Sequence, residues 1–134
     1  MGKKKILVVD DEAGLTHLVK SILEHTGKYE VREANGGVQG LEQARMFRPD
    51  LVLLDILMPD MDGSEVAQQL KIDPTLRQVP VVFLTAAVTK DEVASERGGM
   101  IGGHPFLAKP VMIPELLSCI EKQLAAGNAR RQRP

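Results

Sequence analysis

Five polar side chains in this sequence follow short apolar runs and could do chemistry together. Asp10 and Asp11 follow the first run, and Asp55 follows a later one. Thr85 and Lys109 follow two further runs. Three carboxylates brought together repel one another unless a cation or a proton holds them. Because a carboxylate can attack phosphorus, and a hydroxyl and an ammonium group can contact phosphoryl oxygens, the set suits phosphoryl transfer.

The apolar runs themselves predict how these residues are positioned. Residues 6–9 and 51–54 are continuously apolar, and residues 79–84 are interrupted only by Pro80. Runs without polar alternation are typical of parallel strands that are covered on both faces by helices. The carboxyl ends of such strands share one edge, and ligands bind in the crevice beyond it. We therefore expect the five polar residues to converge on one site.

Four segments between and after the runs show apolar residues at helical spacing, which predicts helices that cover the sheet. The four stripes are Leu15, Leu18, Val19, Ile22 and Leu23; Val38, Leu41 and Ala44; Val66, Ala67 and Leu70; and Leu116, Leu117, Ile120 and Leu124.

The remaining segments complete an alternating α/β pattern of five strands and five helices. Residues 29–34 alternate in polarity and predict a strand near the sheet edge, and residues 106–108 form a short last strand. A helix over residues 90–97 precedes a glycine-rich stretch at 98–103. The pattern predicts one domain.

The domain is expected to span residues 1–126. Residues 127–134 form a basic tail whose only apolar side chain is alanine, so we expect this tail to be disordered.

The composition limits the classes of partner. Of the 134 residues, 17 are basic and 18 are acidic, so the net charge of -1 provides no general attraction to nucleic acid or membranes. The single Cys119 cannot form an internal disulfide, and no apolar run approaches the ~20 residues that span a bilayer. These features favour a cytoplasmic protein that recognises its partners locally.

The carboxylate cluster favours a hard divalent cation. Mg²⁺ prefers oxygen ligands and is typically held by one or two carboxylates together with phosphate oxygens, whereas zinc prefers the histidine and cysteine that this cluster lacks. A single Asp after a strand is usually a helix cap or a turn residue. Only the joint arrangement at successive strand ends favours a functional site.

Four motifs at these positions together resemble the receiver domain of bacterial two-component response regulators. The resemblance extends from about Lys4 to Leu124 and implies a flavodoxin-like fold with parallel strand order 2-1-3-4-5, as in stand-alone, chemotaxis-regulator-like members. The motifs are VVDDE at 8–12, DLVLLDILMPDMDG at 50–63, VVFLTA at 81–86 and FLAKP at 106–110.

The resemblance implies a role for each site residue. Asp55 would be the phosphoacceptor. Asp11, Asp55 and the backbone carbonyl of Leu57 would hold Mg²⁺, with Mn²⁺ as a substitute, and Asp10 would act through a water molecule.

The resemblance also implies a switch. Lys109 and Thr85 would contact the phosphoryl group, and Thr85 would form a switch pair with Phe106, whose ring turns inward when the hydroxyl moves. The bond between Lys109 and Pro110 matches a cis peptide of the family, which is accessible only before proline at modest cost.

The function expected from the resemblance is a phosphorylation-dependent signalling switch. A histidine kinase or phosphotransfer protein would donate the phosphoryl group, and output would be binding to a downstream protein or phosphorelay, with no nucleic acid or membrane. The protein would be a monomer or a weak, phosphorylation-dependent dimer.

Two other functions are weighed against this one. A phosphatase of the haloacid dehalogenase type is disfavoured because Leu57 stands where that class has a second Asp. An idle interaction module is disfavoured because all five polar positions are intact.

The chain is not expected to be an enzyme beyond its own phosphorylation and slow dephosphorylation. The slow rate is expected because neither Leu57 nor Ala87 can orient a hydrolytic water.

Overall fold

The computed structural model describes residues 2–86, 100–101 and 103–131. Strands and helices alternate along most of this length, as the sequence pattern predicts. The elements are β1 (Lys4–Val9), α1 (Ala13–His25), β2 (Tyr29–Ala34), α2 (Gly37–Phe47), β3 (Leu51–Asp55), α3 (Gly63–Ile72), β4 (Val81–Thr85), β5 (Met100–Ile101), β6 (His104–Ala108) and α4 (Ile113–Arg131).

Five of the strands are parallel and lie in the order β2-β1-β3-β4-β6. This confirms the predicted parallel sheet and its order, with β6 as the fifth strand of the prediction. The two-residue strand β5 was not predicted and pairs antiparallel with β6 at the sheet edge. Gly103 lies between these two strands at φ 84°, a left-handed conformation that glycine adopts without steric cost.

The core lies on both faces of the central strands. One face is packed under α2 and α3, and the opposite face is packed under α1 and α4. Successive residues of β1 alternate between the two faces: Leu7 and Val9 belong to the first cluster, and Ile6 and Val8 to the second. Burial of every one of these side chains explains why the strand sequences lack polar alternation.

The stripe predicted for α1 is correct for Val19 and Leu23, which are buried, but wrong for Leu18, which is 56% exposed. Thr16 is buried in its place. Its hydroxyl lies 2.8 Å from Oε1 of Glu33, so the inward polar group has a partner. The helix therefore presents Thr16, Val19 and Leu23, spaced three and four residues apart, to the sheet.

The stripe predicted for α2 is correct for Leu41 and Ala44 but wrong for Val38, which is exposed. The helix approaches β1 through Gly40 instead. A Cβ atom at Gly40 would lie 2.9 Å from Cγ1 of Val9, so this position has room only for glycine. Close backbone packing has replaced part of the expected side-chain stripe.

The described residues contain four helices, and the predicted helix over residues 90–97 lies outside them. The last helix, α4, continues to Arg131, so the expected disorder from residue 127 is wrong as far as 131. Gly127 is buried, and a Cβ atom there would lie 3.4 Å from the Pro80 ring. None of the helices described combines the length and the hydropathy needed to cross a membrane.

The different burial of two leucines gives a test of this packing. Leu53 is fully buried in β3, so Leu53→Ala should lower the free energy of unfolding by about 2–5 kcal/mol. The matched exposed substitution Leu18→Ala should change it by no more than about 0.5 kcal/mol. Urea unfolding of both variants measures the difference, and equal losses would contradict the orientation of α1.

Candidate functional site

The carboxyl ends of β1 and β3 bring three carboxylates together. Asp10, Asp11 and Asp55 each place a carboxylate oxygen within 4.8 Å of the others. Val9 pairs with Leu54 in the parallel register, so the residues that follow in each strand reach the same sheet edge. Asp10 and Asp55 are buried, and Asp11 is exposed at the rim.

Among the residues that the structure describes, Lys109 is the cation that reaches this cluster. Its Nζ lies 2.7 Å from Oδ2 of Asp10 and 3.6 Å from Oδ1 of Asp55. The same Nζ lies 3.4 Å from Oε1 of Glu12, a contact that the sequence analysis did not anticipate. The Lys109 backbone N–H donates to the Thr85 carbonyl oxygen at 3.0 Å, which ties the end of β6 to the end of β4. The predicted convergence of strand ends is confirmed.

The electrostatics of the site show an excess of negative charge. Burial, followed by the charge of Asp10, raises the pKa of Asp55 to about 6, and the charge of Asp11 adds to the rise. Lys109 and the Ile56 backbone N–H oppose it only in part. Burial would lower the pKa of the Lys109 ammonium, but the hydrogen bond and charge of Asp10, together with Asp55, raise it above its ordinary value.

This donor set could hold a metal ion. Within the described part of the chain the cluster consists of Asp10, Asp11 and Asp55, so every side-chain ligand is an oxygen. One lysine does not balance three carboxylates, and a divalent cation would supply the missing positive charge. Oxygen-only donors fit a hard cation and do not fit zinc, which favours nitrogen and sulfur.

Thr85 and Phe106 lie on the neighbouring strands β4 and β6. Thr85 is buried at the end of β4, and Phe106 is half-buried and packs against the core cluster under α2 and α3. In the parallel register Phe106 lies opposite Phe83, and Thr85 lies opposite Ala108. The Phe106 ring is therefore neither fully exposed nor fully enclosed.

The loop after Asp55 is held by its own backbone. The Gly63 N–H donates to the Ile56 carbonyl oxygen at 2.7 Å, and a Cβ atom at Gly63 would overlap the Asp55 carbonyl oxygen. Asp62 caps α3 by accepting the Ser64 N–H at 2.8 Å. Gly63 therefore closes the loop and begins α3.

Two further observations concern residues that the sequence analysis named. Leu57 lies in this loop and is 61% exposed, so its side chain contributes nothing to the core. The peptide bond between Lys109 and Pro110 is cis, in agreement with the resemblance.

Asn35 is a site-supporting residue that the sequence analysis missed. Its Nδ2 donates to the Asp10 carbonyl oxygen at 2.9 Å and to Oγ1 of Thr16 at 3.1 Å. It directly follows β2, as Asp10 directly follows β1. The signal that identified the other site residues would have found it.

Comparison with protein families and relatives gives a consistent result over almost the whole chain. The family model described as "Response regulator receiver domain" matches residues 6–121. The polar-differentiation response regulator DivK of Brucella anthropi is 34% identical over 121 residues, covering 90% of this chain and 96% of the relative. DivK of Brucella ovis is 33% identical over the same shares.

Solved structures share the fold at nearly full length. A CheY-like response regulator receiver domain protein from Methanospirillum hungatei superposes with a TM-score of 0.79 at 28% identity, covering 96% of this chain and 99% of that one. The chemotaxis protein CheY4 of Vibrio cholerae gives a TM-score of 0.78 at 27% identity, with 91% and 99% coverage.

The raised pKa of Asp55 predicts an unusual pH dependence of stability. Its folded value of about 6 exceeds the ordinary 3.8, so the folded state binds more protons between these values and stability falls as pH rises through this window. Asp55→Asn removes the penalty, and should raise the free energy of unfolding at pH 7.5 by up to about 3 kcal/mol.

The measurement is urea unfolding in EDTA at pH 7.5 and pH 4.5, where the advantage of Asp55→Asn should shrink. Glu30→Gln neutralises an exposed carboxylate on β2 and is the matched control. Parallel pH profiles for wild type and Asp55→Asn would show that the cluster is not under electrostatic stress.

Proposed function

This chain belongs to the response regulator receiver domain family, and from that premise we propose that Asp55 is the residue on which it is phosphorylated. It is a phosphorylation-dependent signalling switch of the DivK and CheY-like type. The observation that carries the assignment is the different engagement of the two buried carboxylates.

Asp10 has both oxygens in short contacts, whereas Asp55 is held more loosely. Oδ1 of Asp10 accepts the Glu12 N–H at 3.0 Å, and Oδ2 lies 2.7 Å from the Lys109 ammonium. Asp55 lies 3.6 Å from the same ammonium, at a distance that leaves its lone pairs more available. With a pKa of about 6, Asp55 is mostly ionised at neutral pH, although burial and the neighbouring carboxylates disfavour its charged form. These properties suit a nucleophile.

In the proposed reaction a carboxylate oxygen of Asp55 attacks the phosphorus of a donor. The bond from phosphorus to the donor's nitrogen or oxygen breaks, and its electron pair leaves with the donor. Lys109 would neutralise charge on the phosphoryl oxygens, and its 2.7 Å contact with Asp10 orients the ammonium for this task. Thr85, buried beside the cluster, would donate its hydroxyl to the same phosphoryl group.

The proposed metal is Mg²⁺, for which Mn²⁺ would substitute. The ligands would be Asp11, Asp55 and the backbone carbonyl of Leu57, with Asp10 acting through a water molecule. When bound, the cation would neutralise charge on the transferred phosphoryl group. The support is the all-oxygen cluster and its excess negative charge.

Thr85 and Phe106 are the proposed switch pair. Phosphorylation would draw the Thr85 hydroxyl toward the phosphoryl group, and the Phe106 ring would turn into the space left behind. The half-buried position of Phe106 on β6 supports this, since inward rotation would bury more aromatic surface. The changed surface around β6 would carry the signal by altering affinity for a target.

The proposed partners are a histidine kinase or phosphotransfer protein as donor, and a downstream protein or the next phosphorelay carrier as receiver. The chain would act in the cytoplasm, as a monomer or weak phosphorylation-dependent dimer, without nucleic acid or membrane. It would not be an enzyme for a separate substrate. The net charge of -1 supports recognition by a local protein surface.

Phosphorylation with acetyl phosphate tests the assignment of Asp55. Intact-protein mass spectrometry should show a gain of one phosphoryl group in wild type with Mg²⁺, and no gain in EDTA or in Asp55→Asn. Asp62→Asn is the matched control, because Asp62 caps α3 outside the carboxylate cluster, and it should still gain the mass. A gain that persists in Asp55→Asn would identify another acceptor.

The apolar Leu57 predicts a long-lived aspartyl phosphate. The Leu57 side chain cannot orient a hydrolytic water. Ala87, the other residue from which slow dephosphorylation is expected, lies outside the described residues. Leu57→Gln should speed loss of the phosphoryl group several-fold, and Leu57→Met should leave the rate unchanged. The decay of the phosphorylated mass after donor removal measures both. A wild-type lifetime of only seconds would refute the prediction.

A further inference from the structure

Helix α2 begins without a capping side chain of its own. The N-cap residue is Gly36, which offers no oxygen to the free N–H groups of the first turn. Asp60, from the loop after β3, supplies both acceptors. Its Oδ1 accepts the Gly37 N–H at 3.0 Å, and its Oδ2 accepts the Val38 N–H at 3.1 Å. The acceptors that cap α2 thus come from a loop 22 or more residues away in the sequence.

The two glycines make room for this contact. A Cβ atom at Gly36 would lie 3.0 Å from Oδ2 of Asp60, and one at Gly37 would lie 2.6 Å from the Met61 Cβ. Gly36 has a φ of -177°, which any residue adopts, so its backbone conformation does not require glycine. The close approach of residues 60–61 is what these positions accommodate.

Two further hydrogen bonds anchor the same loop, which follows Asp55 of the carboxylate cluster. The Gly63 N–H bonds to the Ile56 carbonyl oxygen, and Asp62 caps α3 through the Ser64 N–H. Leu57 lies between Ile56 and Asp62, inside the loop that these contacts close, with its side chain exposed. Met58 and Met61 of this loop also pack in the core cluster that contains Leu41 and Ala44 of α2, and the Asp60 side chain adds two hydrogen bonds from the loop to the start of that helix.

We propose that Asp60 is a positioning residue for the metal site: by binding the start of α2 it holds the loop that presents the Leu57 carbonyl. The inference rests on the proposed function, in which that carbonyl is a metal ligand. Without Asp60 the loop is more mobile, and metal binding must order it at an entropic cost. The Gly37 and Val38 N–H groups hold the pKa of Asp60 below its ordinary value, so the carboxylate remains a charged acceptor at neutral pH.

Residues that do not bind a metal themselves but orient its ligands typically contribute roughly tenfold or more to the affinity for the metal. Asp60→Ala should therefore weaken Mg²⁺ binding by roughly tenfold, measured by calorimetric titration without a phosphodonor. Asp60→Asn keeps an acceptor oxygen for one of the two N–H groups, so its affinity should lie between those of Asp60→Ala and wild type.

A second variant separates loop positioning from helix capping. Gly36→Ser combined with Asp60→Ala gives α2 a cap from its own N-cap residue, in space that the Asp60 side chain has vacated. Thermal unfolding in EDTA should return toward the wild-type midpoint, while the Mg²⁺ affinity should stay as weak as in Asp60→Ala. Hydrogen exchange of residues 56–62 should remain faster than in wild type.

Two outcomes would overturn the inference. Unchanged Mg²⁺ affinity in Asp60→Ala would show that the loop needs no tie, and recovery of affinity in the double variant would show that Asp60 serves only to stabilise α2. Failure of the wild type to bind Mg²⁺ or to gain a phosphoryl group would instead contradict the proposed function. Wild-type phosphorylation with unaltered affinity in the variants would leave that function standing without this role for Asp60.

Discussion

Crowding of carboxylates at one edge of a buried parallel sheet is the constraint on which the rest of this structure depends. Asp10 and Asp55 are withdrawn from water beside Asp11, and the single ammonium of Lys109 compensates only part of their charge. Burial and repulsion raise the pKa of Asp55 to about 6. The hydrophobic core beneath must stabilise this arrangement, and β1 and β3, covered on both faces, provide that core. A cation bound at this edge would offset the excess negative charge.

The polar contacts around the cluster hold it in place without belonging to it. Asn35 fixes the carbonyl at the end of β1, and Asp62 caps the helix that follows the β3 loop. Asp60 joins that loop to α2. Each of these side chains binds backbone groups, so each acts on the position of a strand end or a loop. A charge change at Asp55 therefore occurs within a framework whose elements are linked to one another.

The sequence interpretation was most accurate where a physical pattern is local or repeated. Continuous apolar runs predicted the buried strands, and the polar residues after them predicted the cluster. It was wrong for Leu18, where a buried Thr16 bonded to Glu33 faces the sheet instead. It also ended the last helix too early, because burial of Gly127 against Pro80 depends on a contact between distant segments. Hydrophobicity alone predicts neither a satisfied buried hydroxyl nor a buried glycine.

The sequence by itself determined the parallel α/β architecture, its strand order through family resemblance, and the five residues at the strand ends. These features follow from side-chain type and spacing, and predicting them does not require atomic positions to be known to better than a few ångströms. Only the tertiary structure decided that Lys109 lies closer to Asp10 than to Asp55, and that Asp60 caps a helix belonging to another part of the chain. Hydrogen bonds and ion pairs depend on distances within fractions of an ångström, and those distances exist only after distant segments have packed.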